Sequence, residues 1–228
     1  MIFRGVEIWY TKTARHNVPV RAVLVFSIMA CFAGLLRKEE ESMTEKRGVI
    51  HGRFQCLHNK HMEYLLLAKS RCQTLIIGIS NPDVSYIRPS ENDRDRSKKE
   101  NNPFTYFERY EMIRDAMLEY GVPREEFEIV PFPINKPEYI SQYAPTDAIY
   151  YMSICDAWGQ EKYDTLTGLG LRVEVLWKRK PEEKGTTGTE VRKLIMEGKP
   201  WDHLVPKSVH KYITKNRLDE RIIRLSNG

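Results

Sequence analysis

The chain has 228 residues, 36 of them basic and 31 acidic, for a formal charge of +5. That length holds one α/β domain with a core of its own plus a modest extra segment; two full domains would be a tight fit. The first 42 residues carry Arg4, Lys12, Arg15, Arg21, Arg37 and Lys38 against Glu7, Glu39, Glu40 and Glu41, leaving +3 for the remainder, which argues against the long basic stripe of a nucleic-acid binder and suits small phosphate-bearing molecules.

Cys31, Cys56, Cys72 and Cys155 form no CxxC pair and have no histidine at zinc-ligand spacing, so the chain reads as a reduced, cytoplasmic protein with no metal held by side chains. Cys155 reads as a strand-end or loop thiol, because nothing local offers it a base.

In chain order, the apolar run from Ala22 to Leu36 is too short to span a bilayer comfortably. Met43 opens MTEKRGVI directly before the first convincing strand. The expectation is that Met43 is the natural start and that 1–42 is an N-terminal extension from an upstream start; a targeting segment is the alternative. No membrane association is expected of 43–228.

Arg47–His51 reads as a short strand, and His61–Cys72 as a helix with Met62, Leu65, Leu66 and Lys69 on one face. Thr74–Ser80 is a continuous apolar run, the form of a strand buried on both sides. Arg88–Asn102 is charge-rich and nearly neutral, and is expected to be a mobile loop; its place beside the strand ends suits a lid over a phosphate chain. Thr105 and Glu108 form a capping box for a helix carrying Tyr106, Tyr110, Ile113 and Met117 at helical spacing and closed by Gly121. Further strands are expected at Phe127–Phe132, Asp147–Ser153 and Leu171–Trp177, and a last helical region from Gly188 through Trp201 to about Arg224. Strands separated by helices imply a Rossmann-like open parallel sheet of about five strands flanked by helices, with a C-terminal helical segment.

The segment from Gly52 to His61, GRFQCLHNKH, lies between the first strand and the first helix. In an open α/β sheet that junction is where ligands bind. His58 and His61, three apart at a helix start, can point outward with the helix N–H groups and cradle phosphate. Arg53 adds a forked, permanently charged donor, and glycine at 52 lets the backbone approach a ligand. Further on, Thr187 and Glu190 read as a capping box, so that the N–H groups of Gly188 and Thr189 begin a helix and Arg192 projects from its first turns. Each feature alone is more often a solvated histidine or an ordinary cap; together they point to an anion site.

The segment 52–61 resembles the GRFQPxHxGH signature of the archaeal-type nicotinamide mononucleotide adenylyltransferases, within the nucleotidyltransferase superfamily that carries the HxGH motif. Asn102–Arg109 (NPFTYFER) is similar to the family's NPFTxxER, Thr187–Arg192 (TGTEVR) to its SGTxxR, and Trp201–Pro206 (WDHLVP) to its WxHLVP. The four blocks stand in the family's order. The resemblance implies that 43–228 is a nucleotidyltransferase domain transferring AMP from ATP, with Mg²⁺, to nicotinamide or nicotinate mononucleotide and releasing pyrophosphate. It implies His58, His61, Arg53 and Arg192 as catalytic, and Gly52, Arg53, Phe54, Gln55, His58, His61, Thr187, Gly188, Thr189 and Arg192 as ATP-binding. It implies Asn102, Phe104, Arg109, Tyr139 and Trp158 for the mononucleotide, Tyr139 being the nearest match to a pyridine-stacking aromatic. A homo-oligomer is left open.

This sequence also departs from the pattern. Cys56 and Leu57 replace the proline and aromatic before the first histidine, Lys60 replaces the HxGH glycine, and Ser153–Gly159 (SICDAWG) stands where the archaeal enzymes have SGNP. A modified pocket is therefore expected. Two alternatives stand beside the mononucleotide reading: another phosphorylated acceptor, such as a flavin mononucleotide, phosphopantetheine or a phosphorylated alcohol with CTP, and a regulator that senses nucleotides without turnover.

Overall fold

The computed structural model describes residues 44–83, 98–180 and 185–226. The expected N-terminal extension 1–42 and residues 88–97 of the expected lid loop 88–102 lie outside the described residues. From Thr44 onward the chain forms one compact unit.

Five parallel strands stand in the order β3-β2-β1-β4-β5: β1 Glu45–Gly52, β2 Cys72–Ser80, β3 Phe127–Phe132, β4 Ile149–Ile154 and β5 Arg172–Lys178. This is the Rossmann-like α/β sheet the alternating pattern implied. β1 is central and is covered on both sides, Ile50 facing one apolar cluster and Val49 the other. The chain first builds outward from β1 through β2 to β3, then crosses back to β4. A crevice opens where that order reverses, at the carboxyl ends of β1 and β4.

The helices are α1 Asn59–Lys69, α2 Tyr106–Glu119, α3 Ala157–Gly168, α4 Gly188–Met196, α5 Lys207–Lys215 and α6 Leu218–Ser226. On one face of the sheet Met62, Leu65 and Ala68 of α1 pack with Met112, Ile113 and Met117 of α2 and with apolar residues of α4 to α6. On the other face Leu166 of α3 and Ile140 of the 3₁₀ segment Pro137–Gln142 cover Val49, Phe132, Tyr150 and Met152.

Several expectations are corrected. The first helix ends at Lys69, and Cys72 already pairs in the sheet opposite Glu45. Its buried seam is Met62, Leu65 and Ala68; Lys69 instead reaches Glu126 at 2.8 Å. In α2, Arg109, Met112 and Ala116 share the buried face with Ile113 and Met117, while Tyr106 and Tyr110 are half-buried. The capping box at Thr105 is present, with both reciprocal bonds. Helix α3 was not expected: only Gly159 and Leu166 of it are buried, so its apolar periodicity is faint. Its local signal is the start, where the Asp156 side chain accepts from the Gly159 N–H at 2.8 Å. The C-terminal region divides into three helices, with a 3₁₀ turn over Asp202–Leu204 between α4 and α5. Among the described residues no helix is long and apolar enough to cross a membrane.

Candidate nucleotide-binding site

A cavity of about 490 Å³ runs along the carboxyl ends of the strands. Its described lining contains the cationic residues Arg53, Lys60, Lys162, Arg179 and Arg192 and no Asp or Glu. A water-filled cleft of one charge sign concentrates ligands of the opposite sign, so this one is built for a polyanion.

One end is formed where β1 runs into α1. Phe54 turns the chain there with φ of 53°, and the peptide between Gln55 and Cys56 is cis. A left-handed, non-glycine residue costs energy that the surroundings must supply; here Phe54, Gln55, Cys56, Leu57 and His58 are all buried. His58 is the N-cap of α1, its Nδ1 accepting from the His61 N–H at 3.3 Å. Its remaining nitrogen, Nε2, is therefore the one that bears hydrogen in the neutral ring. The rings of His58 and His61 stack at 3.7 Å with 23° between their planes. Burial takes the His58 pKa down to about 4. Burial, with the neighbouring His58 and Arg53, holds His61 well below the ordinary histidine range. The pair is thus a neutral set of donors rather than a cation, and the cations of the cavity supply the charge.

The helix α4 closes the same end. Thr187 Oγ1 accepts from the Glu190 N–H at 3.1 Å, the forward half of the expected capping box. Gly188 is required by contact: a Cβ there would stand 2.6 Å from the Gln55 carbonyl oxygen and 2.8 Å from the Cys56 nitrogen, both backbone atoms that cannot step aside. Arg192 is buried, donating to the Gln55 carbonyl, to Asn101 Oδ1 at 2.6 Å and to Thr189 Oγ1 at 3.3 Å. Its charge borders the cavity while its donors hold the 53–57 segment, the Asn101 turn and α4 together.

Gly52, Arg53, Phe54, Gln55, His58, His61, Thr187, Gly188, Thr189, Arg192 and Trp158 all line this cavity. Gly52 has a different reason from the one expected: a Cβ there would meet the Phe54 ring at 2.8 Å, so the glycine makes room for its own chain. Asn102, Phe104 and Arg109 are corrected, because they lie behind the cavity wall. Arg109 is fully buried and spends its guanidinium on the backbone carbonyls of Thr105, Arg53, Ser80 and Asn81. Phe104 is core, and Asn102 donates to the Lys98 carbonyl at 2.9 Å. Arg109 thereby fastens the ends of β1 and β2 to α2. Tyr139 is half exposed and lines a smaller neighbouring groove with Tyr143, Pro133 and Lys136. Lys60 lines the cavity with Nζ held by Glu63 at 2.7 Å. His51, at the end of β1, was missed; a histidine inside an apolar strand that ends at the switch point is the signal that could have found it.

Residues 49–194 match the cytidylyltransferase-like family. The chain is 47% identical over 175 residues to a phosphonoformate cytidylyltransferase of Streptomyces viridochromogenes, covering 77% of this chain and 94% of that protein. It is 30% identical over 191 residues to a nicotinamide-nucleotide adenylyltransferase of Thermococcus onnurineus, covering 80% and 90%. A solved bifunctional NMN adenylyltransferase/ADP ribose pyrophosphatase of Francisella tularensis is similar in fold, with a TM-score of 0.56 at 14% identity over 81% of this chain and 54% of that one.

Proposed function

The chain is a nucleotidyltransferase of the cytidylyltransferase-like family, and on that premise we propose that it transfers CMP from CTP to a small phosphonate of the phosphonoformate kind, releasing pyrophosphate. The observation that carries this reading is the 47% identity that extends over 94% of a phosphonoformate cytidylyltransferase. The sequence departures from the pyridine-nucleotide pattern, Lys60 and the segment Ser153–Gly159, and the place of Tyr139 outside the main cavity support it as well.

In the proposed reaction a phosphonate oxygen of the acceptor attacks the α-phosphorus of CTP in line, the bond from that phosphorus to the bridging oxygen breaks, and pyrophosphate leaves with the electron pair. The nucleophile is already an anion, so no base has to create it, and the protein's work is alignment and charge neutralisation. His58 through Nε2 and His61 donate to the α-phosphate at the mouth of α1. The first N–H groups of α4, at Gly188 and Thr189, meet the terminal phosphates with the positive end of the helix dipole. Arg53 and Lys60 neutralise the departing pyrophosphate, and Arg192 holds both walls at their spacing. Among the described residues no group of three or more His, Cys, Asp or Glu could hold a metal ion. With no carboxylate in the described lining, a Mg²⁺ ion would come to the site with the triphosphate and would supply charge neutralisation there.

A second reading, transfer of AMP from ATP to nicotinamide or nicotinate mononucleotide, is favoured by the four sequence blocks at 52–61, 102–109, 187–192 and 201–206. The chemistry at the α-phosphorus would be the same. The test is a matrix of CTP or ATP with Mg²⁺ against phosphonoformate and each mononucleotide, read as pyrophosphate released and product mass. A product of CMP joined to phosphonoformate is expected. A dinucleotide formed with the higher kcat/KM would favour the second reading, and no pyrophosphate from any pair would overturn both.

A further inference from the structure

His51 is the last full position of β1 before Gly52, and its side chain faces the apolar cluster beneath α3 rather than the phosphate end of the cavity. Its ring lies flat against Phe132, with centroids 4.5 Å apart and 10° between the planes. It is 6% exposed, it lines the cavity, and its Nε2 is buried with no hydrogen-bond partner. A buried polar atom without a partner costs free energy that a sequence would shed by placing an apolar residue there, unless a ligand completes it. Val49, two residues earlier on the same face, shows that the strand accepts an apolar residue.

The surroundings specify the ligand. The cavity is also lined by Asn135, Trp158 and Lys162, and Lys162 bears electrostatically on His51. Burial and that cation bring the His51 pKa down to about 3, so the ring is neutral and can donate one N–H. One neutral donor on a rigid strand beside a cation, with an aromatic ring fixing the imidazole plane, is a receptor for a planar anionic group such as a carboxylate. Phosphate would demand more donors. His58, His61 and α4 meet the phosphates at the other end, so the His51 end faces what the acceptor carries beyond its reacting group.

Resting on the proposed reaction, we infer that His51 is a specificity-determining residue of the acceptor subsite, donating through its ring N–H to the carboxylate of a small carboxyl-bearing phosphonate, with Lys162 as the counter-charge. Phe132 holds the ring in the plane of that carboxylate. An acceptor that offers only a phosphonate leaves Nε2 buried and unpaired, and a site built to bond a group discriminates against the analogue that lacks it.

The test is direct binding to the full chain in the presence of the unreactive analogue α,β-methylene CTP, measured by calorimetry for phosphonoformate and for methylphosphonate, with His51→Phe and His51→Gln beside the parent. The expected result is that His51→Phe, which keeps the stack on Phe132, binds the CTP analogue within about twofold of the parent but loses at least about tenfold in phosphonoformate affinity. His51→Gln, which keeps a donor, recovers part of it, and methylphosphonate binds all three proteins alike. Equal phosphonoformate affinity in His51→Phe and parent would overturn the inference even if the parent turns phosphonoformate over. No binding of phosphonoformate to the parent would overturn it too. Binding that depends on His51 without any turnover would uphold the inference and sink the proposed reaction, so the two fail separately.

Discussion

Gln55 and Phe104 close a ring of two hydrogen bonds: the Gln55 side-chain nitrogen donates to the Phe104 carbonyl at 2.8 Å, and the Phe104 N–H donates to the Gln55 side-chain oxygen at 2.9 Å. The amide pairs with a main chain as another main chain would, and it ties the segment after β1 to the one that opens α2. The Gln55 carbonyl accepts from Arg192 of α4, so three separate sequence blocks converge on one residue. Gln55→Leu leaves the Phe104 N–H and carbonyl buried without partners. We expect it to lower stability by about 2 kcal/mol and to reduce kcat/KM, because the phosphate-facing loop loses its anchor. Denaturant titration together with initial rates measures both, and a stable, fully active Gln55→Leu protein would show that the loop is held without the glutamine.

His61 stacks on His58 and contributes the backbone N–H that His58 receives. That cap uses the main chain and survives replacement of the ring. His61→Ala should therefore stay folded while kcat falls by roughly a hundredfold or more, the scale of one lost transition-state donor. Near-normal turnover in the folded variant would remove this ring from the proposed chemistry.

The buried histidines make an acid-sensitive protein. A histidine whose folded pKa lies below its ordinary value contributes stability that is fully present above that value and is lost as pH falls toward the folded pKa. For His51 and His58 the folded values are about 3 and about 4. Unfolding free energy should thus decline below about pH 6.5, each ring contributing on the order of 1.4 kcal/mol per pH unit until its folded pKa is reached. His51→Phe removes one of these protons, so the difference in thermal midpoint between it and the parent should change in its favour between about pH 7 and about pH 5. Parallel midpoints across that range would mean that His51 is protonated in the folded protein.

Thiol reactivity separates the described cysteines. Cys56 and Cys72 are buried, and burial raises their pKa to about 12 and about 11. Cys155 is partly exposed and lines the cavity. Iodoacetamide at neutral pH should modify Cys155 and spare the other two, since the thiolate is the reactive form, and CTP should slow its modification. Site-resolved mass spectrometry checks this; labelling of Cys56 in the native protein would mean that the 53–57 turn opens.

What the sequence made legible follows from where its signals are local. Strand β2 could be read from TLIIGIS because a strand covered on both sides must be apolar throughout. The start of α2 could be read from Thr105 and Glu108 because a capping box is completed within one turn. Helix α3 could not, since it buries so little of itself that no period stands out. At the site, residue types revealed which blocks meet but not which side of the wall each side chain takes. Arg109 and Arg53 both read as ligand groups, and only the fold directs Arg109 into backbone carbonyls. His51 was hidden for the opposite reason, its imidazole sitting where an apolar residue is the rule.

The cationic lining of the cavity, which has no Asp or Glu among the described residues, has a bearing on the direction of flow. A lining with Arg53, Lys60, Lys162, Arg179 and Arg192 serves the outgoing pyrophosphate as well as the incoming triphosphate, and the proposed reaction exchanges one phosphoanhydride for another of similar energy. An enzyme of this design runs in reverse whenever pyrophosphate accumulates. What commits the acceptor to its activated form is then the hydrolysis of pyrophosphate elsewhere, and the level of that one by-product sets the net rate.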